Sequence, residues 1–285
     1  MRITKAVVTA AKPTQHSLPL QRLVDREGLE KSALELIIGE IVSAGIDQIC
    51  VVVLEGDEER FRRAAGDLAE RLVFVKQAQP RGYGDALYGA KDFVGDETFL
   101  HLVGDHLYLS RTEQSCARQL VEVARTENCS VSAVQQTREN RLPYFGAIGG
   151  RRLPQSSRLY EVTTVLEKPT PTLAEQELVM AGLRTGYYLC VFGMHVLTPV
   201  IMDLLREQLE RASATDKVPL SPALAQLAKR ERYLAMELEG TRYDIGVKYG
   251  LLIAQLAHCL SGRDRDLILT ELVQLLADQP QGTRS

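Results

Sequence analysis

The 285-residue chain contains no tryptophan, and aromatic residues make up only 6% of it. A stacking platform for single-stranded nucleic acid is therefore not expected. A net charge of −3 offers no basic surface that would attract nucleic acid electrostatically. No apolar run approaches the ~18 residues needed to cross a bilayer, so no membrane partner is expected. Met1 to Val8 leads straight into a strand pattern, without the layout of a secretion signal. The five cysteines (Cys50, Cys116, Cys129, Cys190 and Cys259) form no C-x-x-C pair. They read as reduced, mostly buried thiols of a cytoplasmic protein. Neither they nor the five histidines have zinc-ligand spacing. A serine-hydrolase elbow, G-x-S-x-G, is missing. Gly82-Tyr83-Gly84 fails as a Rossmann fingerprint, because Leu87 stands in the place of the third glycine.

What remains is ordinary globular material, 45% hydrophobic and 25% charged, enough for one large domain or two ordinary ones. Strand and helix patterns alternate through the first half. Strands are expected at residues 4–10, 48–54, 72–75, 99–103 and 130–136. Helices are expected at 32–44, with Ser32 as N-cap and Gly45 as stop, at 57–72 and at 112–127. This alternation predicts a doubly wound, mainly parallel α/β sheet. The second half reads as a smaller mixed-β portion. It has paired strands at 144–150 and 159–167, strands at 187–194 and 233–238, and helices at 199–211, 221–230 and 248–260. The chain divides into residues 1–262 and a C-terminal piece, 263–285. That piece comprises a helix at 264–277, expected to pack on its own domain, and a polar tail at 279–285.

The stretch around Leu72 to Leu107 organises the rest. An apolar strand runs into Pro80-Arg81-Gly82-Tyr83-Gly84, a short helix follows, and a second buried strand ends at Gly104-Asp105-His106. A carboxylate just beyond the carboxyl end of a parallel strand sits where open α/β sheets bind ligands. Gln77, followed by Gly82-Tyr83-Gly84-x-Ala86 and a strand ending in Asp105, resembles the sugar-phosphate nucleotidyltransferases, the bacterial UTP–glucose-1-phosphate uridylyltransferase group in particular. Val165-Leu166-Glu167-Lys168-Pro169 and Arg242-Tyr243-Asp244-Ile245-Gly246-x-Lys248-x-Gly250 extend the resemblance from about Lys5 to Leu260.

The resemblance implies a nucleotide-diphospho-sugar transferase fold. It also implies transfer of a nucleotidyl group from an NTP, expected to be UTP, to a sugar 1-phosphate, expected to be glucose 1-phosphate. Asp105 and Asp244 would hold Mg²⁺. Gln77 and Gly82 would meet the base: an amide offers a donor and an acceptor, and a glycine lets the base lie on the backbone. Gly146, Glu167, Lys168 and Tyr188 would line the sugar pocket, with Tyr188 where relatives carry asparagine. Self-association of the chain stays open.

The family's glycine-rich loop after the first strand is replaced here by Ala10-Ala11-Lys12-Pro13-Thr14-Gln15-His16-Ser17-Leu18-Pro19. Glycines there would let successive N–H groups cradle a triphosphate, and Pro13 removes a donor. Two readings follow. In one, Lys12, His16, Arg22 and Arg26 supply the positive charge and the protein is an enzyme. In the other, it binds a sugar nucleotide without making one.

Overall fold

Burial follows the period of two that a strand imposes. In β1 (Ile3–Thr9), Ala6 and Val8 enter one core while Val7 enters another. A short hairpin, β2 (Arg22–Val24) and β3 (Glu30–Ser32), leads into α1 (Ala33–Ser43). Ser32 opens that helix with a capping box: its hydroxyl accepts from the Glu35 N–H while the Glu35 carboxylate accepts from the Ser32 N–H. In β4 (Gln48–Leu54), Ile49, Val51 and Val53 face the first core and Cys50 and Val52 the second. The expected long helix after β4 is two pieces, α2 (Glu58–Ala64) and a 3₁₀ turn from Gly66 to Arg71, broken where Gly66 has φ +54°. Next come β5 (Leu72–Gln77), α3 (Tyr83–Tyr88), α4 (Lys91–Val94), β6 (Thr98–Val103) and β7 (His106–Ser110). α5 (Cys116–Glu127) and β8 (Ser130–Arg138) follow.

The second half supplies β9 (Gly146–Arg152), β10 (Leu159–Glu167), α6 (Pro171–Glu177), β11 (Tyr187–Leu197), α7 (Val200–Arg211) and α8 (Ser221–Arg230). It closes with β12 (Tyr233–Glu237), β13 (Gly240–Asp244), α9 (Gly250–Leu260) and α10 (Arg265–Ala277). In this computed structural model, which describes residues 1–278, nine strands form one sheet in the order β5-β4-β1-β6-β11-β8-β12-β10-β9. The first four are mutually parallel, as are β8 and β12. β11 and β10 run against them and make the far half mixed. Helices α1, α2, α5 and α9 pack into the core on one face, and α3, α4, α7 and α8 into the core on the other. The sheet is thus doubly wound. A third cluster, around Leu142, Phe145, Leu178 and Tyr188, lies under the β9 edge.

Sequence pattern did not reveal β7 and β13, which pair antiparallel as a separate ribbon. α10 lies against α9, as expected, but only shallowly. It buries no residue, and Leu267, Val273, Leu275 and Leu276 are exposed. The expected tail at 279–285 lies outside the described residues. Four of the cysteines are buried and all five are free. No described helix is long and apolar enough to cross a membrane.

Candidate active site

β1 has β4 on one side and β6 on the other, so the chain changes direction of winding at its carboxyl end. In open α/β sheets that is where a ligand crevice opens. The Ala10 N–H donates to the Val52 carbonyl (2.8 Å) and the Gly104 N–H to the Thr9 carbonyl (2.9 Å). Asp105 follows directly. β7 then leaves the sheet and pairs with β13, which sets Asp244 opposite His106. The Ile245 N–H donates to the Asp105 carbonyl (2.9 Å), and Asp244 Oδ1 accepts from the Gly246 N–H (2.9 Å). Ligand atoms of Asp105, His106 and Asp244 come within 4.8 Å of one another. Burial would raise the Asp105 pKa. The His106 ring, its hydrogen bond and the Lys12 ammonium outweigh burial and hold it below the ordinary carboxylate value. Two carboxylates far apart in the sequence, with one already biased towards ionisation, form a donor set that fits Mg²⁺ or another small divalent cation. Asp244 also borders a cavity of about 560 Å³ that collects Arg138, Arg141, Arg242 and Lys248.

The turn after β5 is held by this chain's own backbone. Gly82 has φ +118°, and a Cβ there would lie 2.9 Å from the Val218 carbonyl oxygen. The space expected for a base above Gly82 is therefore occupied by Val218. The Gln77 amide donates to Asp85 Oδ2 (2.5 Å). Its side-chain carbonyl oxygen has no hydrogen-bond partner among the described residues, and Gln77 lines a cavity of about 360 Å³ with Val52, Arg81, Asp85 and Tyr88. Tyr83, between the two glycines, donates its hydroxyl to His101 Nε2 (2.8 Å), since His101 Nδ1 must carry the proton given to the Val7 carbonyl (2.9 Å). Burial, then Asp105, then Glu167 push the Tyr83 pKa well up.

On the β9 edge, Gly146 stands opposite Glu167 in register. A Cβ on Gly146 would lie 3.1 Å from Ser221 Oγ and 3.5 Å from Glu167 Oε2. Ser221, the first residue of α8, donates its hydroxyl to Glu167, where the helix's positive end favours an anion. Lys168 Nζ lies 3.8 Å from Glu167 Oε1, on a backbone with φ +46°. Such left-handed conformations are rare outside glycine and are found preferentially at functional sites. Tyr188 does not join this group. It is 4% exposed and packs with Phe145 and Leu178 in the third cluster, on the other face of β11 from Leu189 and the second core. The segment from Ser213 to Ser221 links both sides. Its Val218 accepts from the Gly84 N–H (2.8 Å), and its Ser221 reaches Glu167.

The first loop distributes its cations unevenly. Lys12 is exposed and its charge reaches Asp105. His16 instead donates through Nδ1 to Asp57 Oδ2 (2.5 Å), and Arg60 bonds the other Asp57 oxygen (2.8 Å). Arg22 is paired with Glu30 at 2.5 Å across the β2–β3 hairpin. Arg26 bonds the Arg263 N–H through its carbonyl (2.9 Å), and its charge falls on Glu40 and His258. Of the four, only Lys12 is brought to the carboxylates. Sequence reasoning had not singled out His106, Ser221 or Asp57. The first two become visible only through strand register and a helix start, and Asp57 only through its ion pairs.

The fold and its switch-point carboxylates define a nucleotidyltransferase. The nucleotidyl transferase family model matches residues 26–258, and the chain belongs to that family. It is similar to UTP–glucose-1-phosphate uridylyltransferase 1 of Streptococcus pyogenes serotype M3, 29% identical over 289 residues covering 91% of this chain and 90% of that one. The Streptococcus pneumoniae serotype 4 enzyme of that name is 28% identical, with 96% of each chain covered. Among solved structures, a UDP-glucose pyrophosphorylase complexed with UDP-glucose superposes with a TM-score of 0.72 at 24% identity, over 90% of this chain and 98% of that one. The UTP-bound enzyme from Acinetobacter baumannii gives 0.73 at 22%, over 98% and 100%.

Proposed function

We propose that the protein joins UTP and glucose 1-phosphate, giving UDP-glucose and pyrophosphate, with Mg²⁺ held by Asp105 and Asp244. The observation that carries this reading is the β7–β13 pairing, which gathers two carboxylates at the sheet's switch point. A bound divalent cation would there neutralise phosphate charge as the α-phosphorus is attacked and pyrophosphate leaves. The chain's own groups do the rest. Lys12 meets the triphosphate, in place of an amide cradle. Gln77 offers its free carbonyl oxygen to the uracil edge, above the Val218-backed turn. Glu167, fixed by Ser221, accepts from sugar hydroxyls, and Lys168 meets the sugar phosphate so that its oxygen is aimed for in-line attack. His16, Arg22, Arg26 and Tyr188 have structural partners and are assigned to the scaffold.

The test is pyrophosphate release by the purified protein with Mg²⁺, glucose 1-phosphate and each NTP in turn, with Asp105→Asn alongside. Release is expected with UTP above the other nucleotides, and its loss in the variant. Silence with every NTP, together with tight UDP-glucose binding, would instead identify a sugar-nucleotide-binding protein without transferase activity.

A further inference from the structure

His106 occupies a position that a two-carboxylate magnesium site does not require. It is the first residue of β7, in register with Asp244, and its side chain is 11% exposed. A turn residue after Gly104-Asp105 would ordinarily face solvent. Here the ring is held from two directions: Nδ1 lies 2.7 Å from Asp105 Oδ1, and the ring edge lies over Gly193, where a Cβ would be 3.6 Å from His106 Cδ2. Gly193 has φ +79° and sits within the irregular stretch of β11 between Val191 and His195. Among the described residues, Nε2 has no hydrogen-bond partner. One His106 nitrogen, one Asp105 oxygen and one Asp244 oxygen lie within 4.8 Å of one another, and the 2.7 Å between Nδ1 and Asp105 Oδ1 is close to the ~3 Å that separates neighbouring ligands of one octahedral ion. Nδ1 is therefore the nitrogen placed to share an ion with Asp105, once it gives up the proton it now donates to Oδ1.

We propose that His106 is a direct ligand of the metal, giving an Asp105–His106–Asp244 set that selects Mn²⁺ over Mg²⁺. The proposal rests on the reading of Asp105 and Asp244 as the metal pair and adds a nitrogen donor to it. Mg²⁺ is a hard ion that takes oxygen ligands in near-ideal octahedra and gives up its waters reluctantly. First-row transition ions accept imidazole readily alongside carboxylates. Replacing one oxygen by nitrogen therefore penalises Mg²⁺ relative to Mn²⁺. The two carboxylates and the substrate phosphates keep the remaining positions suited to either ion.

The experiment uses the whole chain and Mn²⁺ alone as the probe. Mn²⁺ binding is followed by electron paramagnetic resonance, Mg²⁺ by competition, and the bound Mn²⁺ is examined by spin-echo modulation for coupling to a directly ligated ¹⁴N. The wild-type protein is expected to show ¹⁴N modulation that His106→Asn and His106→Gln both lose. Those variants should bind Mn²⁺ roughly 10–100-fold more weakly while Mg²⁺ affinity changes much less, so that the preference collapses. Mn²⁺ that binds, is displaced by Asp244→Asn, yet shows no ¹⁴N modulation in the wild type would overturn the role of His106 and leave the carboxylate pair standing. Modulation that persists in a folded His106 variant would do the same. Mn²⁺ that does not bind, or binds equally well to Asp244→Asn, would overturn the carboxylate pair itself.

Discussion

The corner formed by β6, β7 and β13 and the loop that follows β1 face the same crevice, yet they are built on opposite principles. At the corner, backbone pairing places the charges: Asp244 is set opposite His106, and Ile245 is bonded to Asp105. In the loop, no glycine run turns N–H groups towards a ligand, and the charges are carried on side chains. Three of the four basic residues have other engagements: His16 with Asp57, Arg22 with Glu30, and Arg26 with Glu27 and, through its carbonyl, the Arg263 N–H. The difference separates preorganised electrostatics from electrostatics supplied by a mobile, solvated ammonium. The first costs no reorganisation when charge develops. The second is screened by salt over about 8 Å at physiological ionic strength.

The largest effect belongs to the corner. Asp244→Asn keeps the β7–β13 ladder, because its backbone bonds do not involve the carboxylate, and is expected to lower turnover on the order of 10²–10³-fold. Retained melting temperature with lost pyrophosphate release is the measurement. A variant as active as the wild type would remove the corner from the mechanism. Lys12→Ala comes next, expected to lower kcat/KM for the nucleotide by about 10–100-fold, mostly through KM. The wild-type KM for UTP should climb with NaCl, and the variant should climb less. An unaltered salt slope would mean that the loop binds phosphate by some route other than Lys12.

Much of the scaffold was legible in the sequence because buried strands write their period of two into apolar residues. β4 was read at its observed limits, and Ser32 was recognised as the cap of α1. Asp105 was found for the same reason: it ends an apolar strand. The ribbon that makes the site was not legible. β7 and β13 are short, and each pairs only with the other, so the pattern carries no sign of which residues meet. Gly82 shows the converse limit. Its lack of a Cβ was read as room for a base, but what fills the space above it, Val218, comes from a segment far along the chain. Tyr188 and Leu189 are consecutive, and the alternation that sends one to the third cluster and the other to the second core does not by itself say which of the two faces which.

Arg26 sharpens the comparison by testing whether a loop cation serves the scaffold. Its charge falls on Glu40, whose carboxylate on α1 accepts from the Ala117 N–H (3.0 Å) at the start of α5. Burial raises the Glu40 pKa to about 7 against the pull of the Ala117 and Cys116 N–H groups and of Arg26. The unfolded chain loses this proton near 4.5 while the folded chain keeps it until about 7. The contribution to stability is therefore complete below pH 4.5, falls as pH rises to about 7, and is flat beyond. Glu40→Gln keeps an acceptor for Ala117 and removes the titration. It is expected to gain about 2 kcal/mol on the wild type at pH 8 and to lose the slope between those values, read from urea midpoints. An identical slope in the variant would assign the pH dependence elsewhere.

The smallest effect separates an anchor from a phosphate ligand. His16 lies in the loop that replaces the glycine-rich segment, and a phosphate ligand there should cost about 10–100-fold on removal, as for Lys12. Its Nδ1 is instead spent on Asp57, which also holds Arg60, so the ring ties the loop to the start of α2. The pair is only partly buried, with side-chain exposures of 30% and 10%, and solvent weakens its Coulomb attraction. His16→Ala should therefore cost about 1 kcal/mol or less in stability and leave KM for UTP within about threefold. Asp57→Asn should give the same small change, and the double variant little more, because each single change already breaks the same contact. A large rise in KM on removing His16, with Asp57→Asn neutral, would return the ring to the triphosphate and make the two halves of the crevice more alike than their partners suggest.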